Sequence, residues 1–165
     1  STHQIVRKLN NFSLDAGILY FNNGDPETTV KLYEERYVFI APKSLTVSKE
    51  KQITWAEVAQ IPLCLLTQNM KNRQLIDRHF LDLGILPSIV TEASDFTAVL
   101  AQVAAGNAAT IAPVSVAQTF LDLKSTKQLD LIRPVLTHSV GLSIKDQSPV
   151  LPMIEALRKA VKSAL

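Results

Sequence analysis

The sequence predicts an α/β protein, and three observations carry that prediction. Short apolar runs and amphipathic helical segments alternate about six times along the chain. The joints between them are short and marked by Gly, Pro, Asn or Ser. Finally, 47% of the 165 residues are hydrophobic, enough to fill the core of one domain or of two small lobes. Such alternation is the pattern of mainly parallel sheets covered by helices on both faces.

Residues His3–Leu9 carry a helical stripe (Ile5, Val6, Leu9) that Asn10–Ser13 break. Leu14–Tyr20 is a short apolar strand, and Phe21–Thr29 a polar loop with Asn-Gly-Asp-Pro turn signals. Val30–Tyr33 and Tyr37–Ala41 read as two strands, closed by Pro42. Thr54-Trp55-Ala56-Glu57 fits a capping box, because Glu57 can reach back to the Thr54 N–H, so a helix runs from Trp55 to about Gln60. Leu63–Leu66 is a buried strand, Thr67-Gln68-Asn69 a polar turn, and Met70–Leu83 a helix with Leu75, Ile76, His79, Phe80 and Leu83 on one face. Gly84 supplies its left-handed stop. Ser88–Glu92 is a strand, Phe96–Ala105 a helix stopped by Gly106, and Ala108–Ala112 a strand. Pro113 takes the first position of a helix over Val114–Leu121. Leu129–Ile132 and Val140–Ile144 are strands, and Leu151–Leu165 is an amphipathic helix with Ile154, Leu157, Val161 and Leu165 on one stripe.

Charge and composition exclude several function classes. Seventeen Lys and Arg against fifteen Asp and Glu give a net charge of +2, scattered along the chain. That bias is too weak to argue for nucleic acid or a membrane as the direct partner. No apolar run approaches the roughly 18 residues of a membrane span, and the N-terminus has no signal-peptide pattern. The single cysteine, Cys64, lies inside the apolar run Ile61–Leu66 and reads as an inert core residue. A chain with one cysteine forms no internal disulfide, which fits a reducing cytoplasm. It opens without Met in what reads as the middle of a helix, so a fragment of a longer protein is expected. His3, His79 and His138 are far apart in sequence, and no Cys, His or carboxylate set has metal-ligand spacing. Neither G-x-S-x-G, a Walker A loop nor G-x-G-x-x-G occurs. No catalytic residue, metal site or cofactor is therefore assigned.

Two polar turns occupy equivalent places, each after a strand and before a helix: Thr67-Gln68-Asn69, with Asn72, and Ser94-Asp95-Phe96-Thr97. If both strands share a sheet, both turns lie on one edge and face one cleft with hydroxyls, amides and helix N–H donors. A helix N-terminus carries unpaired donors and partial positive charge, which suits a small anion. The same residue types are also favoured as ordinary caps, so capping alone is the competing reading. Tyr20, Phe21, Asn22 and Asn23 follow the strand over Leu14–Tyr20 and read either as an opposite wall or as a solvated loop. Arg73 reads either as a fork for a ligand carboxylate or as a surface arginine.

The order L-D-A-G-I-L (Leu14–Leu19), L-Y-E-E-R-Y-V-F-I-A-P (Leu32–Pro42) and I-T-W-A-E-V-A-Q-I-P-L-C-L-L (Ile53–Leu66) resembles the effector-binding domain of LysR-type transcriptional regulators. So do R-Q-L-I-D-R-H-F-L-D-L-G-I-L-P (Arg73–Pro87), V-L-A-Q-V-A-A-G-N-A-A-T-I-A-P (Val99–Pro113) and Ser148-Pro149 before the last helix. The family's second glycine after Gly106 is Ala108 here, and Ile154 stands where an aromatic is common. The stretch C-L-L-T-Q-N-M-K-N-R-Q-L-I-D is most similar to cyanate- or nitrogen-related members. The resemblance implies two Rossmann-like lobes of the type 2 periplasmic-binding-protein fold, lobe I over 1–61 and 135–165 and lobe II over 62–134. It implies a small-molecule effector between them, with contacts at Thr67, Gln68, Ser94 to Thr97, Tyr20 and Phe21; the turn pattern adds Asn69 and Asn72, and the helix starts favour an anion. Effector binding would alter the angle between lobes. The family's first strand and helix are missing, leaving lobe I incomplete, and so is the winged helix-turn-helix that contacts DNA. A cytoplasmic homodimer, tetrameric at full length, is expected. The rivals are a transporter's solute-binding protein, and an enzyme on the same fold such as a porphyrin-pathway deaminase, which would want an exposed reactive cysteine.

Overall fold

The structure is a computed structural model describing residues 2–21, 29–46, 51–120, 122, 124–145 and 152–164, with the backbone alone at 162 and 164. The Asn-Gly-Asp-Pro turn, Asn22, Asn23, Ser148-Pro149 and Leu165 lie outside the described residues. The element order is α1 (Thr2–Asn10), β1 (Ala16–Phe21), β2 (Thr29–Pro42), β3 (Gln52–Thr54), α2 (Trp55–Ala59), β4 (Leu63–Leu66) and α3 (Lys71–Asp82). It continues through β5 (Ile89–Ala93), α4 (Phe96–Ala104), β6 (Thr110–Pro113), α5 (Val114–Phe120), β7 (Thr126–Ile132), β8 (Thr137–Ile144) and α6 (Pro152–Ala164). The α/β class stands.

Two compact units emerge, Ser1–Glu34 with His138–Leu165, and Glu35–Thr137. The chain passes from one to the other inside β2 and inside β8. Tyr37, Phe39, Ala41, Ile53, Trp55 and Val58 share one buried cluster with Leu63, Leu65, Ile76 and Phe80, which binds them to the second unit.

In the first unit, β1 and β8 pair antiparallel from Ala16 opposite Ile144 to Phe21 opposite Ser139. Leu142, Ile144 and Ile154 form its buried cluster, with Ala16, Leu32 and Val161 against them. The expected α6 stripe is thus present at Ile154 and Val161, while Leu157 is 37% exposed.

In the second unit, β4 and β5 are parallel neighbours, and so are β3 and β7. β2 runs antiparallel to both β6 and β7. A parallel bridge from Leu63 to Ala109 sets the approach to β6 beside β4, through Cys64 N–H to Ala109 O (2.8 Å) and Ala109 N–H to Pro62 O (2.9 Å). The pairing is mixed, not mainly parallel: β7 and β8 follow one another with no helix between them, whereas parallel neighbours need a crossover connection of about a dozen residues or more.

Two other expectations change, and one strand is added. Val30–Tyr33 and Tyr37–Ala41 are one strand, because Glu34-Glu35-Arg36 keep the period of two: Glu34 and Arg36 face solvent and Glu35 is buried. Pro113 ends β6 opposite Tyr37 instead of opening α5. The three-residue β3, whose Thr54 also caps α2, carries too few residues for a periodicity. The capping box forms as expected, with Thr54 N–H on Glu57 Oε2 at 2.8 Å and Glu57 N–H on Thr54 Oγ1 at 3.4 Å. Gly84 and Gly106 take φ of 67° and 85° after their helices, a region that L side chains avoid.

Candidate functional site

Because β4 and β5 are parallel and pair Leu66 with Ala93, their carboxyl ends leave the sheet side by side. The ladder runs on into the turn, where Thr67 N–H donates to Ala93 O at 3.0 Å. The turns starting at Thr67 and at Ser94 therefore share one edge. The approach to β6 is parallel to β4, so the Pro113–Val114 turn opens on that edge too.

The first turn is internally braced. Thr67 Oγ1 donates to Asn69 Oδ1 (2.7 Å), Met70 N–H to Thr67 O (3.0 Å), and Gln74 Nε2 to Gln68 O (3.1 Å). Asn72 is half-buried and its Oδ1 accepts from the Tyr37 hydroxyl at 2.7 Å, so its carbonyl is tied to the core. Met70, the N-cap of α3, makes no side-chain cap bond. The second turn differs. Asp95 Oδ1 accepts from the Ala98 N–H at 2.9 Å, and Ser94 Oγ donates to Asp95 Oδ2 at 3.3 Å. A carboxylate thus already occupies the start of α4. Only the Phe96 and Thr97 N–H groups, which have no partner inside a helix, are left for a ligand.

The remaining expected residues separate. Phe96 packs against Val38, Leu100 and Val103 on one side and Cys64, Leu66 and Val99 on the other, so its ring is a core anchor. Thr97 stands on the α4 face that also presents Leu100, Ala101 and Ala104 to an open groove of about 250 Å³, completed by Phe120, Asp122 and Thr126. Tyr20 and Phe21 belong to the other unit and, as neighbours in a strand, point to opposite faces. The Tyr20 ring lies 5.6 Å from that of His138. The Phe21 ring folds over Gly141, where a Cβ would come within 2.6 Å of it.

Neither expectation for Arg73 holds. It is 4% exposed and spent within the fold: Nη1 donates to Leu66 O (2.8 Å) and Glu92 Oε1 (2.6 Å), and Nε to Asp77 Oδ1 (2.7 Å). Burial works against its charge, but the hydrogen bonds and fields of Asp77 and Glu92 outweigh it and hold its pKa above the usual value. Sequence reasoning also misses Glu35. Its carboxylate is buried and accepts from Ser115 Oγ at 2.9 Å, at the start of α5. An acidic pair inside a strand gives no signal for that role.

Among the described residues, neither Cys64 nor His79 is set for nucleophilic or acid–base work. Cys64 is fully buried, and burial pushes its thiol up, away from the reactive thiolate. Desolvation pushes the His79 pKa down, against the field of Asp82, and so favours its neutral form. Among the described residues no group of three His, Cys, Asp or Glu could hold a metal ion, and no helix is long and apolar enough to cross a membrane.

The sequence matches the LysR substrate binding domain over residues 1–165. No curated protein matches it in sequence. Among solved structures, the chain is similar to the Synechocystis PCC6803 CcmR regulatory domain in complex with 2-PG, with TM-score 0.87 and 10% identity over 99% of this chain and 79% of that one. It is similar to the effector binding domain of QuiR in complex with shikimate, with TM-score 0.81 and 21% identity over 98% and 76%. It also matches full-length CbnR complexed with target DNA, with TM-score 0.80 and 20% identity over 99% of this chain but 55% of that one. At these identities the likeness is one of fold.

Proposed function

Because the chain belongs to the LysR substrate binding domain family, we propose that it senses a small anionic metabolite and passes that signal to a DNA-binding domain of the full-length protein. The observation that carries the reading is the parallel β4–β5 pair, which puts two hydroxyl-bearing turns on one sheet edge. Thr67, Gln68, Asn69 and Asn72 supply one set of contacts; Ser94, Phe96 and Thr97 supply the other, Phe96 through its N–H, with Asp95 among them holding the start of α4. Tyr20 and Phe21 are the contacts that the family resemblance assigns to the first unit. Asp95 repels an anion from the start of α4, so most of the charge recognition falls to the uncapped start of α3 and to neutral donors. The coupling between effector and DNA is a difference in affinity of about 1–3 kcal/mol. Binding without turnover, a cytoplasmic location and a homodimer that doubles to a tetramer at full length complete the reading. The family match favours a regulator over a transporter's solute-binding protein.

Calorimetric titration with inorganic phosphate, cyanate and small carboxylates tests the site. Thr67→Val and Thr97→Val should each weaken the bound anion about tenfold, the worth of one hydrogen bond to a charged group, the Thr67 hydroxyl turning from Asn69 to the anion on binding, with the unfolding midpoint lowered by at most about 4 °C. If no anion binds, or if both variants keep the wild-type dissociation constant, the reading is wrong.

A further inference from the structure

Helix α3 starts against the usual rules for a helix start. Its N-cap is Met70 with no side-chain cap bond, and its first turn holds no acidic residue. Lys71 and Arg73 sit there instead, at the positive end of the macrodipole, where a cation is unfavourable by about 0.3–1 kcal/mol. Arg73 is also desolvated, and a buried ion pair seldom stabilises a fold more than apolar side chains of the same size. A residue that breaks local rules at a site is there for what it holds.

What Arg73 holds is specific. Leu66 is the last residue of β4, next to Thr67; Glu92 lies on β5, two residues before Ser94; Asp77 is one turn along α3 itself. One guanidinium at 2.6–2.8 Å from all three therefore joins β4, β5 and α3, three of the four elements that flank the two turns. The planar fork fixes directions as well as distances, which an ammonium would not do.

We propose that Arg73 is a positioning residue that sets the separation of the Thr67–Asn72 and Ser94–Thr97 turns, without itself touching the effector. The inference rests on the effector reading for its purpose, while its geometry stands independently. The pin works through Glu92 and the Leu66 carbonyl. Asp77, on the same helix as Arg73, neutralises charge but ties nothing together.

That asymmetry supplies the test. Glu92 and Asp77 side chains are 38% and 40% exposed, so removing one charge from either perturbs solvation alike. In the intact chain, amide hydrogen exchange is followed at Thr67, whose N–H meets Ala93 O, relative to Cys64, whose N–H meets Ala109 O on the other side of β4. Glu92→Gln and Arg73→Lys should each raise the Thr67-to-Cys64 exchange ratio about fivefold or more, while Asp77→Asn leaves it within about twofold. A ratio unchanged in Glu92→Gln overturns the proposal, and so does an equal rise in Asp77→Asn. Should Arg73→Lys fail to fold, the isosteric Glu92 and Asp77 pair decides alone. Titration with inorganic phosphate then separates the two readings. Weaker binding in Glu92→Gln but not in Asp77→Asn supports both; a wild-type chain blind to phosphate speaks against the effector reading at this probe, while the exchange ratio still judges the pin.

Discussion

His79 shows how one side chain can serve packing and still leave a liability. Its ring centroid lies 4.2 Å from that of Trp55, whose Nε1 donates to Pro134 O at 2.8 Å, and its Nε2 is buried with no hydrogen-bond partner among the described residues. The ring contact is worth about 0.5–1.5 kcal/mol, and an orphaned polar atom costs about 1–3 kcal/mol. Near neutral pH these nearly cancel. Desolvation lowers the folded-state pKa, only partly offset by Asp82. The imidazole therefore contributes full stability above its unfolded value of about 6.5, and loses it as pH falls through that value toward the folded one. His79→Leu should shift the unfolding midpoint little at pH 8 and raise it clearly at pH 5.5. Thermal melts at the two values check this, and equal shifts at both would refute it. The sequence places His79 correctly on the apolar face of α3, because helical periodicity reports which way a side chain points. Whether its nitrogens find partners depends on Trp55 and Pro134, which are distant in sequence. Arg73 is misread from sequence for the same reason: Glu92, nineteen residues on, gives no local signal.

Among elements, legibility follows how much of the determining contact is local. The α2 capping box, the α3 face and the glycine stops at Gly84 and Gly106 are readable because each is settled within one or two helical turns. The continuity of β2 is not, since Glu35 is made tolerable inside a strand by Ser115, eighty residues away. Half of the candidate site is readable for that reason: strand, turn and helix patterns locate Thr67 and Ser94 and allow the local cap at Asp95, but nothing local shows that Asn72 is already engaged by Tyr37. Register shows the same limit. Leu19 faces Gly141 and Phe21 faces Ser139 across β1 and β8, and the Phe21 ring leans over Gly141. A Cβ at Gly141 would stand 2.6 Å from that ring and 2.8 Å from Thr29 Cγ2. Gly141→Ala should then lose about 1–3 kcal/mol to overpacking. Adding Phe21→Ala should recover a good part of it, a coupling that denaturant melts of the two single variants and the double variant would measure. Additive losses would mean that the ring does not depend on the glycine.

At the scale of the molecule, the two units differ in how much core the described residues of each own. The second unit joins Trp55, Tyr37, Phe39, Phe80 and Ile111 in one large buried cluster and adds two more around Leu100 and Val99. The cluster of the first unit comprises Leu142, Ile144 and Ile154, while Phe12, Ile18 and Met153 are 75%, 59% and 65% exposed. Burial contributes about 25 cal/mol per Å² of apolar surface, and backbone ordering opposes it at about 1–2 kcal/mol per residue. The unit with less apolar burial per ordered residue must therefore sit nearer the balance point. Local opening follows that balance, with free energies running from near zero up to the global value. Amides of β1 and β8, such as those of Leu19 and Leu142, should then exchange at least about tenfold faster than those of Leu65 and Ile111 in β4 and β6. Thermal unfolding followed at Trp55 should lag behind the loss of β1–β8 protection, because Trp55 reports only on the larger core. Equal protection of the four amides, with coincident transitions, would instead mean that both units open together as one cooperative body.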